Sequence, residues 1–177
     1  SIFPNMPEVK DYLLCYLASA LDGSNRHQIF TFCTGVGGNG KSTLFKLLVK
    51  LFQDSKTILP VNMFTTEQPS AESANPNLAN VERKLLGLIP DMPTNKMLYT
   101  AILKTLVGDD HITARTLHGL PRTFKARLWL LGNINDLPEK LDDISDGFLR
   151  KVRIIPFEQR FVKAEEYDPV NKQRSEE

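Results

Sequence analysis

The run Gly35-Val36-Gly37-Gly38-Asn39-Gly40-Lys41-Ser42-Thr43 constrains this chain more than any other segment. It meets the spacing Gly-x-x-x-x-Gly-Lys-Ser/Thr at every required position. Closely set glycines let a backbone wrap around an anion without Cβ clashes. Amides of the loop and of a following helix start then point at phosphate oxygens. Such a loop needs a strand before it and a helix after it, and both are legible. Residues 28–34 are rich in aromatic and β-branched side chains, as strands are. Over 42–53, Leu44, Leu47, Leu48 and Leu51 recur at helical spacing. Strand, glycine loop and helix open an α/β unit. Within it, residues 35–43 are a nucleotide-phosphate cradle. Lys41 is placed for the β- and γ-phosphates, Ser42 for Mg²⁺, and Thr43 for support of the first helical turn. The plain alternative is a glycine-rich turn without a ligand.

Composition sets the bounds. With 177 residues, 41% of them hydrophobic, the chain can bury one real core rather than two. Lys plus Arg is 22 against 21 for Asp plus Glu, a net charge of +1. That balance excludes a wholly basic DNA-coating protein while leaving room for a local basic patch. No apolar run approaches the length of a membrane span, and the start Ser1-Ile2-Phe3-Pro4 has no basic head or long apolar stretch. Membrane association is therefore not expected. Cys15 and Cys33 are too few for a disulfide scaffold or structural zinc site; both lie among apolar residues and are expected to be buried thiols.

The rest of the chain supplies further layers. Residues 8–22 read as a helix with Val9, Leu13, Leu17 and Leu21 in one stripe, between Pro7 and Gly23. The segment 57–64 reads as a second strand, and 65–80 as loop plus a short helix. Lys84 to Ile89 is a compact strand stopped by Pro90 and Asp91. Residues 95–107 read as a helix with Leu98, Ile102 and Leu106 on one side, ended by Gly108. An extended excursion over 111–127 bends at His118-Gly119, with few apolar residues in the bend. Arg127 to Leu131 is a strand ending at Gly132-Asn133. A polar connection with a short helix spans 136–146, and Lys151 to Ile155 is the last strand, closed by Pro156. From about Phe161 the chain turns polar. Residues 1–160 are expected to form the domain, and 161–177 a poorly ordered tail or linker.

A phosphate loop needs an acid at the end of another core strand. Asp91 fits, as a ligand to Mg²⁺ and a group that orients the attacking water. A turn residue between Pro90 and Pro93 is the bland alternative. No second acid adjoins it, and Glu72 and Glu82 are candidates from elsewhere. Asn133, at the end of a strand, is suited to the γ-phosphate or its water, because ligands collect at that edge of an open parallel sheet.

Together these residues resemble a superfamily 3 helicase, of the poxvirus D5-like primase-helicase group of large DNA viruses. Five motifs carry the resemblance over about residues 8–160. They are Gly38-Asn39-Gly40-Lys41-Ser42, the strand ending in Asp91, the stretch from Leu103 to Arg115, Asn133 followed by Leu137-Pro138, and the Arg-bearing strand from Arg150 to Phe157. The resemblance implies an AAA+-like P-loop NTPase core of α/β class, with a central mostly parallel sheet and a basic hairpin insertion. It implies ATP with Mg²⁺ between neighbours in a homo-oligomeric, typically hexameric ring around single-stranded DNA. Asn133 then looks like the sensor asparagine and Arg150 like the arginine finger reaching the neighbour's ATP. Lys151 stands where relatives often carry a second arginine, and it lacks the planar bidentate fork; Lys151 and Arg153 remain candidates to share the role. Many relatives have Glu at the position of Asp91, so details of water activation depart from the family pattern.

In such a family the 111–127 excursion faces the ring channel. Arg115, His118, Arg122 and Lys125 would then contact phosphates without reading sequence, with His118-Gly119 at the tip. The leading reading is an ATP-dependent replicative DNA helicase, a hydrolase that couples ATP turnover to strand separation. A P-loop small-molecule kinase and a non-catalytic nucleotide-binding assembly module are the alternatives. The resemblance also implies a primase-like region upstream in a longer chain, further helical material downstream, and an intracellular site of action, in host cytoplasm or nucleus if viral.

Overall fold

A computed structural model of the chain describes residues 2–67 and 75–162 and, as backbone, the strand at 173–175. Its helices are α1 (Pro7–Ala20), α2 (Lys41–Phe52), α3 (Asn62–Thr65), α4 (Pro76–Ala79), α5 (Thr100–Val107) and α6 (Asp146–Leu149). Its strands are β1 (Phe30–Thr34), β2 (Lys56–Ile58), β3 (Leu86–Met92), β4 (Met97–Leu98), β5 (His111–Ala114), β6 (Arg122–Lys125), β7 (Trp129–Ile134), β8 (Lys140–Leu141), β9 (Val152–Pro156), β10 (Arg160–Val162) and β11 (Gln173–Ser175). Five of them make one sheet in the order β2-β3-β7-β1-β9. Every pairing in it is parallel. No described helix is long and apolar enough to cross a membrane.

Parallel strands need crossovers, and the crossover helices cover both faces of the sheet. Successive side chains of β1 and β7 therefore enter two separate cores. On one face Cys33, Trp129 and Leu131 pack with Leu13 and Tyr16 of α1 and with Phe45, Leu48 and Phe52 of α2. On the other, Phe30, Phe32 and Leu130 pack with Met63 and Phe64 of α3, Leu103 and Leu106 of α5, and Ile112 and Ala114 of β5. Tyr16 crosses to the sheet, where its hydroxyl donates to the Leu130 carbonyl at 2.6 Å. The sheet centre leaves no room for side chains at two glycines. A Cβ on Gly132 would lie 2.6 Å from the Phe32 ring, and one on Gly87 the same distance from Leu130 Cδ2.

Several local expectations give way to tertiary structure. The 95–107 helix starts only at Thr100; Met97–Leu98 instead pairs in parallel with Lys140–Leu141. The carboxylate of Asp142 accepts the Thr100 amide at 2.7 Å, a cap supplied from 42 residues away. The 57–64 segment divides into β2 and α3. On α1 the buried residues are Leu13, Tyr16 and Ala20, and Leu21 lies past the helix, exposed. Leu47 and Leu51 of α2 also face out, because Phe45, Leu48 and Phe52 take the sheet-facing side. In the 115–121 bend, Leu117 and Leu120 are highly exposed, so it is more apolar than expected. Strand β3 runs through Pro90 and Asp91 rather than stopping there. β10 pairs in parallel with β11; residues 163–172 and 176–177 of the expected tail, and 68–74 of the expected 65–80 loop, lie outside the described residues.

The two cysteines differ. Cys33 is buried in the sheet, and burial pushes its thiol up to about 12. Cys15 is exposed on α1, contrary to expectation, because the inward side of the helix is taken by Leu13 and Tyr16. A thiol reagent at pH 8 should modify one thiol in the native protein and a second only on unfolding; equal rates for both would contradict this packing. Gly132→Ala should lower stability by about 1–3 kcal/mol in chemical denaturation, the range for overpacking a core.

Candidate nucleotide site

The loop from Gly35 to Gly40 joins the C-terminal end of β1 to α2. Gly35, Gly38 and Gly40 take φ of 136°, 76° and 88°, the left-handed region in which a side chain is strained. A Cβ on Gly35 would stand 2.5 Å from both the Phe157 carbonyl and Asn39 Nδ2, whereas Gly37 has open space around it. Gly40 caps α2 with no side chain; the Lys41 amide donates to Asn39 Oδ1 at 3.4 Å, whereas the first-turn amides of Ser42 and Thr43 have no side-chain acceptor from the cap. Unsatisfied amides at the start of a helix of this length favour an anion. Val36, Ser42 and Thr43 are exposed, so the outer side of the loop is accessible.

Lys41 folds back into the loop. Its ammonium donates to the Gly35 carbonyl and, at 3.2 Å, to Asn39 Oδ1. Burial lowers its pKa, while Cys33 and Asp91 act in the opposite sense. Asn39 is 3% exposed and donates through Nδ2 to the Phe157 carbonyl at 3.0 Å. It thus ties the loop to the chain leaving β9, where the Phe157 amide donates to the Thr34 carbonyl at 2.8 Å. Asn39 is part of the sequence motif; its anchor is a backbone carbonyl that no sequence pattern marks.

The acid and the asparagine come together. Asp91 sits at the C-terminal end of β3 and Asn133 at that of β7, and Asn133 Nδ2 donates to Asp91 Oδ1 at 2.7 Å. Pro90 has no amide to give the ladder, and the β3–β7 register slips between Ile89 and Met92. Asp91 takes φ 43° in this bulge. Bulges re-aim side chains, and this one turns the carboxylate toward β7. Asn133 Oδ1 is buried without a partner among the described residues. Since β7 lies between β3 and β1, Asn133 stands between the acid and the loop strand, in register with Cys33.

The three basic residues at β9 have different fates. Arg150 ends α6 and is exposed, its side chain without hydrogen bond or ion pair to a described residue. Lys151 is buried and donates to Gln28 Oε1 at 2.6 Å. Arg153 Nη1 donates to the carbonyls of Arg150 and Val152. All three lie at or near the start of β9, whose Val152 pairs with Phe30, whereas the loop follows the other end of β1. Five residues of strand at about 3.3 Å each separate those levels, so Arg150 cannot join its own loop.

The 111–127 excursion is the antiparallel hairpin β5–β6, with His111 opposite Lys125 and Ala114 opposite Arg122. His118 takes φ 59° in the bend and is exposed, as is Arg115. Arg122 pairs with Glu82 at 3.1 Å and Lys125 with Asp109 at 3.0 Å. Glu82 therefore lies with the hairpin, before β3 begins and away from Asp91. Glu72 falls outside the described residues. No group of three or more acidic, His or Cys side chains that could hold a metal occurs among the described residues.

Comparisons with known proteins accord with this geometry. The chain is 35% identical to a candidate helicase of Acanthamoeba polyphaga mimivirus over 89% of its own length and 16% of that protein's. It is 28% identical to a candidate helicase of Frog virus 3, over 92% of this chain and 17% of the relative. A candidate primase of African swine fever virus is 23% identical over 86% of this chain and 16% of its own. The chain thus spans about one-sixth of the length of these relatives, and it is homologous to viral helicase and primase proteins over that part. Among solved structures, the apo C-terminal region of NrS-1 superposes with a TM-score of 0.66 at 18% identity, over 97% of this chain and 40% of that one. A second form gives 0.59 at 21% identity, over 89% and 35%. These likenesses show a mixed α/β fold with a mostly parallel central sheet. The family of unknown function DUF5906 matches residues 33–151, from the end of β1 to the start of β9, and the chain belongs to that family.

Proposed function

We propose that the chain is the ATPase domain of a superfamily 3, AAA+-like replicative DNA helicase, with residues 1–160 as the domain and 161–177 as a tail or linker. The observation that carries this reading is the Asp91–Asn133 pair beside the Gly35–Thr43 loop, with a free buried acceptor on Asn133. In this reading the loop amides and Lys41 hold the ATP phosphates, and the Lys41 ammonium exchanges the Gly35 carbonyl and Asn39 for phosphate oxygens. Asn133 Oδ1 accepts from the attacking water, and Asp91 orients it. Exposed Ser42 and Asp91 are the residues that would hold Mg²⁺, which would supply neutralisation of phosphate charge. Two protein oxygens suffice, since this ion keeps several waters.

The distance of Arg150 from its own loop supports action on a neighbour's ATP, in a homo-oligomeric, hexameric ring. Lys151 is turned inward to Gln28 and Arg153 to backbone carbonyls, which supports Arg150 as the finger. The hairpin, with Arg115 and His118 exposed at its bend, is the channel element for single-stranded DNA. The full-length protein would carry a primase-like region in the same chain and act in an infected cell, as its viral relatives suggest.

Lys41→Ala should lose most phosphate release, because β/γ charge stabilisation disappears. Near-wild-type release would remove the loop from catalysis. Turnover in the wild type should rise with single-stranded DNA, a response that neither a small-molecule kinase nor an assembly module would give. Arg150→Ala in an assembled full-length ring should bind ATP normally and turn over about 10³-fold more slowly. Co-assembly of Arg150→Ala with Lys41→Ala subunits, confirmed by native mass spectrometry, should restore part of the rate. No recovery at any mixing ratio would argue against action across the interface.

A further inference from the structure

We infer that a second cationic site, a groove at the N-terminal edge of the sheet, binds the phosphodiester backbone of single-stranded nucleic acid. The inference rests on the reading above and extends it to residues outside the hairpin bend. Neighbouring strands β2, β3 and β7 begin at one edge, and each beginning carries a cation: Lys56, Arg83 with Lys84, and Arg127. The base of the hairpin adds Arg122 and Lys125. Two open grooves lie among these residues, of about 570 Å³ and about 650 Å³. Both volumes fall within the usual range of ligand sites. They share Glu82, Arg83 and Lys84, so they adjoin along that segment and together make up the track. Six Lys and Arg side chains line it against the two acids Asp22 and Glu82, in a chain whose overall charge is +1.

Several of these charges have no acidic partner among the described residues. The side chains of Arg83 and Arg127 make no hydrogen bond or ion pair there. Lys56 and Lys84 donate only to the backbone carbonyls of Gln53 and Asp54. Arg83 is held at φ 62°, a conformation that costs a non-glycine residue on the order of 1 kcal/mol. The track is open and mostly polar, with no enclosed slot for a small nucleotide. Its shape and charge suit a long polyanion, and partly buried Phe124 offers one aromatic edge for a base. Strand β6 lines both grooves, through Arg122 in one and Phe124 and Lys125 in the other, so the track continues the path of the hairpin.

The test uses the full chain, a fluorescent oligo-dT strand and anisotropy over a salt series, with nucleotide affinity measured in parallel. Arg83→Asn combined with Arg127→Gln should weaken DNA binding about ten-fold or more. It should also shallow the salt slope by about 1.4, at about 0.7 for each single-strand phosphate that the protein no longer neutralises. Nucleotide affinity should stay as in the wild type. Glu82→Gln, which removes a lining acid and frees Arg122, should tighten DNA binding. It tests the site by the opposite sign if the double variant fails to fold. If Arg115→Ala with His118→Ala weakens DNA binding while both groove tests leave affinity and slope unchanged, the groove is overturned and the helicase reading stands. If the wild type binds no single-stranded DNA at any salt, both fall.

Discussion

Strand β1 is hydrogen-bonded on both sides, to β7 with Phe30 opposite Leu130 and to β9 with Phe30 opposite Val152. Both pairings are parallel, and most of the remaining structure depends on that direction. With every strand of the sheet pointing one way, the C-terminal ends of β1, β3 and β7 meet at one edge. The Gly35–Thr43 loop, Asp91 and Asn133 gather there although they are separated by up to about a hundred residues of chain. The same direction sends Arg150 and the cations at the beginnings of β2, β3 and β7 to the opposite edge. A chain built this way separates its two kinds of electrostatics by the length of its own strands, about 15–20 Å.

At that edge the loop is held closed by its own groups. Lys41 leans on the Gly35 carbonyl and Asn39, and Asn39 leans on Phe157. Phe157 continues directly from β9, the strand that Arg150 precedes. A group that drew the Lys41 ammonium away would leave Asn39 bonded to the Phe157 carbonyl and the Lys41 amide. The contact therefore gives a physical link between the loop and the strand that carries the basic residues. On the neighbouring strands, the bulge at Pro90–Asp91 turns a carboxylate into the bond with Asn133 that a regular β3 would not reach.

Much of this was legible from residues alone. The glycine-rich loop and its flanking strand and helix, the hairpin bending at His118-Gly119, and the strands that carry Asp91 and Asn133 all follow from motif spacing, turn residues and apolar periodicity. The α/β class followed from the same signals. Illegible features were those decided by distant partners. Asp142 caps α5 from 42 residues away and so shortens a helix that periodicity extends to residue 95. Competition between Leu13, Tyr16 and Cys15 for one side of α1 left Cys15 outside. The sequence favoured Arg150 over Lys151 and left Lys151 and Arg153 as candidates to share its role; their different surroundings come from the tertiary structure.

The sequence by itself determined the chemistry on offer: glycines that permit left-handed backbone, a lysine and hydroxyl at phosphate-loop spacing, an acid, an asparagine and a scatter of near-balanced charge. Those properties are local, set by side-chain type and by separation of a few residues. Tertiary structure decided which groups meet. It placed Asn133 against Asp91, buried Lys151 on Gln28, and collected Arg83, Arg122 and Arg127 along one rim of a chain whose net charge is +1. Strand order and direction are non-local, fixed by hydrogen bonding and burial between segments far apart in the chain, and no short-range pattern encodes them.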